Sequence, residues 1–274
     1  MSTPLSTPTA PWPQRAFTHV VSGVERSAHG LFDNVGNTLL LGVDALRWLF
    51  TPPFRIAQFI EALDFIGVGS TFIVVLVGMF TGMAFTVSTI LAFRQFSAEA
   101  MVGGVVALAM SRELAPVLAG VVVTARAGST MASELGNMRV TEQIDAITTM
   151  GVSPVQYLVS PRVLSTTLML PVLSMFFGIA GMFGSYIVAV LWQGIDPGVF
   201  WDKVEGLVHM SDIRMMLIKA TLFGFIVSIV CCTKGFFAEG GARGVGEATA
   251  RAVVDSIIAI FAADYIATTI LTEI

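Results

Sequence analysis

Five long apolar runs constrain the fold of this chain more than any other feature. They cover roughly residues 66–92, 100–125, 163–192, 215–233 and 252–272. Each is long enough to cross a bilayer, because a membrane-spanning α-helix needs about 20 mostly apolar residues. The composition agrees, since 55% of the 274 residues are hydrophobic and 12% are charged, about half the charged fraction of an ordinary soluble domain. The sequence therefore predicts an all-α, polytopic membrane protein with five membrane-spanning helices.

The N-terminal region differs from the rest in composition. Residues 1–16 are polar and rich in proline, without the apolar segment of a secretory signal, so we expect a disordered tail. Residues 17–55 carry apolar side chains at helical spacing as far as Pro52 and Pro53. This pattern predicts an amphipathic helix that lies in the membrane interface. A helix packed on the protein's own core is the alternative.

Lysine and arginine are distributed unevenly between the two ends of the predicted spans, which indicates an orientation. We expect the N-terminus in the cytoplasm and the C-terminus outside. Three basic residues then lie outside, namely Arg94, Lys203 and Arg214. Ten lie inside or at the inner boundary: Arg15, Arg26, Arg47, Arg55, Arg126, Arg139, Arg162, Lys234, Arg243 and Arg251.

Four ionisable residues fall well inside predicted spans: Arg112, Glu113, Lys219 and Asp264. A charge at the centre of a span costs roughly 2.5–3.5 kcal/mol on insertion scales, so these two cations and two carboxylates are expected to pair inside the bundle. We predict Glu113 with Lys219 and Arg112 with Asp264, although the exchanged pairing is equally open. The cluster could be a proton or ion relay, a polar lining for a lipid headgroup, or a structural lock between helices.

A short polar helix is predicted at about residues 141–151, between the second and third spans. Thr141 can cap it, Glu142 and Asp145 suit its positive N-terminal end, and Gly151 ends it. One face is expected to contain Ile144, Ile147 and Met150 or Gly151. A capped helix on the cytoplasmic side suits docking into a groove of a soluble partner. A plain connecting helix is the alternative.

Three phenylalanines mark one face of the first span near its outer end. They are Phe85, Phe93 and Phe96, separated by eight and three residues. Such a stripe is more often lipid-facing or part of the core than the wall of a binding site.

Several chemical functions find no motif in the sequence. A phosphate loop of the form GxxxxGK[ST] does not occur, and the glycine-rich EGGARGVGEAT at 239–249 lacks its Lys-Ser/Thr ending. His19, His29 and His209 are scattered, so no metal site is predicted. No nucleophile–base constellation suggests a catalytic residue. We expect neither an enzyme nor a nucleic-acid-binding protein, and no cofactor bound by this chain.

One region resembles a known family. Residues 111–162, SRELAPVLAGVVVTARAGSTMASELGNMRVTEQIDAITTMGVSPVQYLVSPR, are similar to the signature region of the MlaE/YrbE permeases of ABC-type lipid transporters, which work with MCE proteins. The likeness runs from about residue 17 to the C-terminus. It includes GIDPGVFW at 194–201 and ATARAVVDS at 248–256.

The resemblance implies an architecture and a set of partners. It implies an interfacial helix followed by a permease domain over 56–274, assembled as a homodimer in the bacterial inner membrane. It also implies a separate cytoplasmic ATPase that binds ATP and Mg, an MCE protein on the outer, periplasmic side, and in many systems a STAS-domain accessory protein. The expected function is ATP-driven transport of a lipid, with phospholipid as the first expectation, between the inner and outer membranes.

The resemblance also assigns roles to residues. The family's intramembrane charged set matches Arg112, Glu113, Lys219 and Asp264 in residue type. The cavity positions of its first span fall approximately on Phe85, Phe93 and Phe96, by position rather than identity. Its coupling helix to the ATPase matches Arg139, Thr141, Glu142, Gln143, Asp145, Met150 and Gly151. Two other functions stay open at this point: an ion- or proton-coupled secondary transporter that uses the same charges, and a membrane scaffold.

Overall fold

The structure, a computed structural model, describes residues 36, 38–48 and 56–272. The predicted tail at 1–16 and most of the predicted interfacial helix lie outside the described residues. The described part consists of helices and contains no strand. Its helices, in chain order, are α1 (38–48), α2 (Ile56–Arg94), α3 (Glu99–Val140), α4 (Gln143–Thr149), α5 (Val155–Trp192), α6 (Pro197–Leu207), α7 (Met210–Phe236) and α8 (Gly241–Thr272).

Five of these helices are long and apolar enough to cross a membrane: α2, α3, α5, α7 and α8. This confirms the predicted all-α fold with five membrane-spanning helices. The chain is a multi-pass membrane protein. The short helices α4 and α6 lie at opposite ends of the bundle, because each connects two spans and an odd number of spans separates them. We call these ends the α4 end and the α6 end.

The spans are longer than the apolar runs that predicted them. Helix α3 has 42 residues, which makes it about 63 Å long at 1.5 Å per residue, about twice the 30 Å hydrocarbon core. Its second half, TARAGSTMASELGNMRV, is polar but still forms a helix. Residues 127–161 were predicted to lie outside the spans, and much of that segment is instead a helical extension. Hydropathy marks the part of a helix that lies in lipid, so it does not locate the helix end.

Several turns of the long helices are π-helical. A π turn holds one more residue than an α turn and is common at functional sites. The π turns are Asp64–Val68 in α2, Met110–Leu114 and Thr124–Gly128 in α3, and Val155–Val159 and Ile187–Trp192 in α5.

Small residues bring α2 and α5 into direct backbone contact. A Cβ added at Gly78 would lie 2.7 Å from the carbonyl oxygen of Phe177, and one added at Gly82 would collide with the backbone of Gly181. Gly184 meets the backbone of Met79 in the same way. Gly78 and Gly82 form a GxxxG pattern, which therefore serves helix packing within the chain.

Helix α1 packs on the α4 end of the bundle. Leu41 and Ala45 are buried there, and the Ser160 hydroxyl of α5 donates a hydrogen bond to the Ala45 carbonyl at 3.2 Å. Leu39 and Val43, in contrast, are more than half exposed. The described part of the predicted interfacial helix thus packs on the core with one side and presents apolar side chains outward with another.

Helix α6 lies firmly against the start of α3. Phe200 is fully buried, and a Cβ added at Gly103 would lie 2.8 Å from its ring. The Asp196 side chain caps the helix by accepting a hydrogen bond from the backbone N–H of Val199 at 3.0 Å. The rings of Tyr186, Phe200 and Trp201 pack with centroids 5.5–6.1 Å apart. Aromatic residues are enriched at membrane interfaces, which is where this end of the bundle is expected.

Candidate functional site

The charged dipeptide of α3 lies on a π turn that a proline follows. Arg112 and Glu113 belong to the turn Met110–Leu114, and Pro116 begins the next α-helical segment. In an α-helix the carbonyl of Arg112 would accept a hydrogen bond from the N–H of residue 116, but proline has no N–H. This carbonyl therefore needs another donor inside an apolar bundle.

Lys219 of α7 supplies that donor. Its ammonium group donates hydrogen bonds to the Arg112 carbonyl at 3.1 Å, to Glu113 Oε2 at 2.9 Å and to Thr268 Oγ1 at 2.6 Å. It also forms an ion pair with Asp264 Oδ1 at 2.9 Å. Lys219 is fully buried, so these four oxygens replace the water that a lysine normally keeps. The site joins α3, α7 and α8 through one cation.

Arg112 has a different partner from the predicted one. Its Nε donates a hydrogen bond to Asp212 Oδ1 at 2.7 Å, so the pairing of Arg112 with Asp264 is wrong, whereas the pairing of Glu113 with Lys219 is present. Asp212 falls outside the predicted fourth span, because the apolar run of that span begins near residue 215. Helix α7 in fact begins at Met210, which places Asp212 in its first turn.

Asp212 also fixes the start of α7. Its Oδ2 accepts a hydrogen bond from the backbone N–H of His209 at 2.8 Å, and the His209 side chain completes the reciprocal capping box. Asp212 is 2% exposed, whereas the Arg112 side chain is 42% exposed. The usual N-terminal signal is Ser, Thr, Asp or Asn followed three residues later by Glu or Gln, and His209 with Asp212 does not match it, so the sequence did not reveal this carboxylate.

Replacing Asp212 with alanine is expected to lower the free energy of unfolding by about 2 kcal/mol. The change removes a helix cap and a charge-assisted hydrogen bond, which contribute about 0.5–2 and 1.5–3 kcal/mol in other proteins and are not fully additive. Thermal unfolding of the detergent-solubilised protein measures the effect. Asp202→Ala is the control, because Asp202 is 75% exposed and forms only a long, 3.4 Å ion pair with Lys203. Equal losses in both variants would contradict the assigned role of Asp212.

The complete cluster contains two cations and three carboxylates. Arg112 and Lys219 face Glu113, Asp212 and Asp264. Glu113 is the most exposed of the three acids, at 41% of its side chain, whereas Asp264 is 18% exposed. The carboxylates outnumber the cations by one, and Glu113 can carry this extra negative charge because its side chain is only partly buried. This arrangement ties three spans together and presents one carboxylate outward.

Helix α4 is shorter than predicted and begins differently. It covers Gln143–Thr149, and Glu142 precedes it with a left-handed φ of 60°. Thr141 was expected to cap α4, but its hydroxyl donates to the Asn137 carbonyl at 2.8 Å and so closes α3. The predicted cap is wrong because the chain reverses between Thr141 and α4. The predicted end is correct, since Gly151 follows with a φ of 75°, a conformation that glycine adopts easily.

The predicted face of α4 is present in part. Ile144 is 2% exposed and Ile147 packs beside it against the bundle, so these two side chains share one buried face, whereas Met150 does not belong to it. The outward face carries Gln143, Asp145 and Met150, of which Met150 is 71% exposed. Arg139 donates a hydrogen bond to Asp145 at 2.7 Å, which links this face to the end of α3.

The three phenylalanines of the first span do not line the large cavity of the structure. Phe85 and Phe93 pack against the core, and Phe96 is 78% exposed. A cavity of about 620 Å³ lies instead between α3, α5, α6 and α7, next to residues such as Met110, Met182 and Trp201. The assignment of these phenylalanines to the wall of the transport cavity therefore stays a prediction, and that cavity is not the one described here.

Comparison with known proteins gives consistent matches over most of the chain. The model of the family described as Permease MlaE matches residues 59–270. A probable ABC transporter permease protein of Rickettsia conorii is 36% identical over 250 residues, which cover 91% of this chain and 96% of that protein. The intermembrane phospholipid transport system permease protein MlaE of Haemophilus influenzae is 34% identical over 213 residues, 77% of this chain and 82% of that protein. The chloroplastic protein TRIGALACTOSYLDIACYLGLYCEROL 1 of Arabidopsis thaliana is 39% identical over 207 residues, 76% of this chain and 59% of that protein.

Proposed function

The chain belongs to the MlaE permease family, and on that premise we propose that it is the membrane-spanning subunit of an ATP-driven lipid transporter with phospholipid as its cargo. The relative from H. influenzae is named as a permease of intermembrane phospholipid transport, and the relative from R. conorii is named as an ABC transporter permease. The observation that carries the proposal is α4, a short helix that Ile144 anchors to the bundle and that exposes Met150 and Asp145 outward, because a secondary transporter needs no such contact for a partner.

A separate ATPase would supply the energy. In the proposed assembly, two copies of this chain bind two copies of a cytoplasmic ATPase, which hold ATP and Mg. The outward face of α4 is the proposed contact, because Met150 and Asp145 are exposed there while Ile144 anchors the helix to the bundle. A helix that is fixed on one side and exposed on the other can transmit movement of a partner to the spans.

The remaining partners and the location follow from the same proposal. An MCE protein would bind at the α6 end, on the periplasmic side of the bacterial inner membrane, and a STAS-domain protein would bind near the ATPase. The N-terminus would then be cytoplasmic and the C-terminus periplasmic. Two copies would enclose a cavity with Phe85, Phe93 and Phe96 in its wall. ATP binding would favour one cavity conformation over another and thereby change the affinity for lipid.

Replacing Met150 with aspartate tests the α4 contact. We expect the variant to be as stable as the wild type, because this side chain is 71% exposed, but to lose copurification with the ATPase. An aspartate in the core of an interface is desolvated without a partner, which weakens binding by about 2 kcal/mol or more. Affinity purification from the native host followed by mass spectrometry gives the readout.

The matched control for this variant is Met210→Asp at the α6 end. Met210 is 78% exposed and begins α7, so the substitution has the same chemistry at the opposite end of the bundle. It is expected to keep the ATPase. Retention of the ATPase by Met150→Asp, or its loss from both variants, would contradict the proposed contact.

Transport by the purified complex separates the proposed function from its main alternative. The complex would be reconstituted into vesicles with a fluorescent phospholipid, and movement of lipid to an acceptor would be followed after addition of ATP or after a pH jump. ATP-dependent movement is expected. Movement driven by the proton gradient without ATP would instead favour a secondary transporter that uses the charge cluster as a relay.

A further inference from the structure

The cavity between α3, α5, α6 and α7 has the composition of an apolar binding site. Its volume of about 620 Å³ falls in the range of about 300–1,000 Å³ that is usual for small-molecule sites. Its lining among the described residues includes no charged side chain. Four methionines contribute to the wall: Met110, Met175, Met182 and Met216. Methionine side chains are flexible and polarizable, so such a wall adapts to apolar ligands of varied shape.

The cavity opens on the side of α5 that faces away from α2. Ile179 and Phe183 line it and are 63% and 60% exposed. Gly181, which packs on α2, lies two residues from each of them and therefore about 160° around the helix. The opening is thus distinct from the proposed wall at Phe85 and Phe93 on α2 and at Phe96 just after it.

The depth of the cavity in the membrane identifies the kind of molecule that meets this opening. Trp201 and Tyr186 border the cavity at the α6 end, where the aromatic rings cluster, and Met175 lies about three turns deeper in α5. If the aromatic rings mark the interface, the opening faces the acyl chains of the adjacent leaflet. A site without charged side chains at this depth suits a hydrocarbon chain and offers no charge to pair with a headgroup.

The geometry points to a lateral acyl-chain site in which one chain of a phospholipid from the leaflet at the α6 end inserts between α5 and α7 and reaches Met216. The headgroup of this lipid would stay at the level of Trp201, which is 48% exposed. This acyl-chain site is separate from the proposed transport cavity, and it requires only that the protein lies in a membrane. A protein that transported no lipid would still bind the acyl chain.

Gly178 offers a way to fill the site. A Cβ added there would meet only Ala115 Cβ, at an ordinary contact distance of 3.7 Å. A larger side chain at this position would extend into the cavity, which Gly178 lines. Gly178→Phe is therefore expected to fold while it excludes the acyl chain. Gly206→Phe on α6 is the matched control, because nothing lies within 4 Å of a Cβ added at that position.

Photochemical labelling tests the site directly. The full-length protein would be reconstituted into phospholipid vesicles that contain a phospholipid with a diazirine at the end of one acyl chain. After irradiation, mass spectrometry maps the labelled residues. Met216 is the diagnostic position, because it is 5% exposed and a lipid that merely touches the surface does not reach it. Ile218 and Leu222 on the same helix are 47% and 40% exposed and report ordinary lipid contact.

We expect labelling of Met216 in the wild type and in Gly206→Phe. In Gly178→Phe, the labelling of Met216 should decrease about tenfold. A tenfold weaker binding corresponds to the loss of about two buried methylene groups of the acyl chain. Labelling of Ile218 should be the same in all three proteins. Met182→Trp, which narrows the same cavity from another position on α5, should repeat the decrease. Labelling confined to Ile218 and Leu222, or unchanged labelling of Met216 in both cavity-filling variants, would overturn the proposal. Labelling of Met216 by a diazirine fatty acid but not by the phospholipid would overturn the assignment to phospholipid.

Discussion

Replacing Lys219 with methionine is expected to lower the free energy of unfolding by about 3–5 kcal/mol, the usual effect of removing one partner of a buried ion pair. The substitution nearly preserves the volume of the side chain but removes the charge that Glu113 and Asp264 share. It also leaves the Arg112 carbonyl without its side-chain donor. Thermal unfolding in detergent and the yield of monodisperse protein measure the loss.

A second variant keeps this prediction testable if Lys219→Met alone does not fold. The triple variant Lys219→Met, Glu113→Gln and Asp264→Asn removes all three charges together, and it is expected to recover most of the lost stability, because buried pairs can be replaced by neutral groups at little cost. Lys203→Met is the control, since Lys203 is 37% exposed and pairs only with its neighbour Asp202. A single variant as stable as the wild type would show that the cluster does not hold α3, α7 and α8 together.

Replacing Gly82 with valine is expected to separate α2 from α5. A Cβ at this position would collide with the backbone of Gly181, and backbone atoms cannot move aside as the end of a side chain can. Overpacking typically costs about 1–3 kcal/mol and more where the contact is rigid, so we expect a loss at or above the upper end of this range. A cysteine pair placed across the two helices would report their separation through a lower yield of crosslinking.

Gly178→Val gives the matched comparison for this prediction. It adds the same side chain to α5, where a Cβ meets only Ala115 Cβ at 3.7 Å. This control should retain the crosslink and unfold at a temperature close to that of the wild type. If the two variants were equally stable, the close approach of α2 and α5 would not depend on the glycine at position 82.

The sequence predicted the five spans well because a bilayer imposes one simple requirement, a long apolar helix, on every crossing. It predicted the ends of these helices poorly. The apolar pattern ends where α3 leaves the hydrocarbon core, but the helix continues to Val140, because this part of α3 packs against α7 and α8. Leu135 is buried there, and a Cβ added at Gly136 would lie 3.1 Å from the Val245 side chain of α8. The misassigned cap at Thr141 has the same origin, because α3 ends there rather than before it.

The sequence predicted which residues belong to the ion cluster better than it predicted which of them pair. Intramembrane charges must find partners, so the sequence identified Arg112, Glu113, Lys219 and Asp264. Which charges meet depends on how the helices are rotated about their axes, and a π turn at Arg112 and Glu113 changes that rotation. Asp212 was missed because it lies just outside the apolar run, although the helix that carries it had already begun.

The proposed lipid wall illustrates a further limit. Phe85, Phe93 and Phe96 were assigned by position in the family, and their side chains face the core or the outside of a single chain rather than its large cavity. A space enclosed by two copies cannot be derived from the periodicity of one helix. The methionine-lined cavity also escaped the sequence, since its walls come from four helices that are distant along the chain.

The unbroken length of α3 makes it a mechanical lever. From Val140, beside α4, to Glu113, in the ion cluster, the helix covers 27 residues, or about 40 Å. A tilt of about 4° about the α4 end would move Glu113 by about 3 Å, as far as a hydrogen bond is long. The contact between Glu113 and Lys219 measures 2.9 Å, so a small rotation of α3 about its α4 end is large enough to open or close it. A rotation imposed on α3 at one face of the membrane would in this way reach charges inside the membrane, about 40 Å away along the helix.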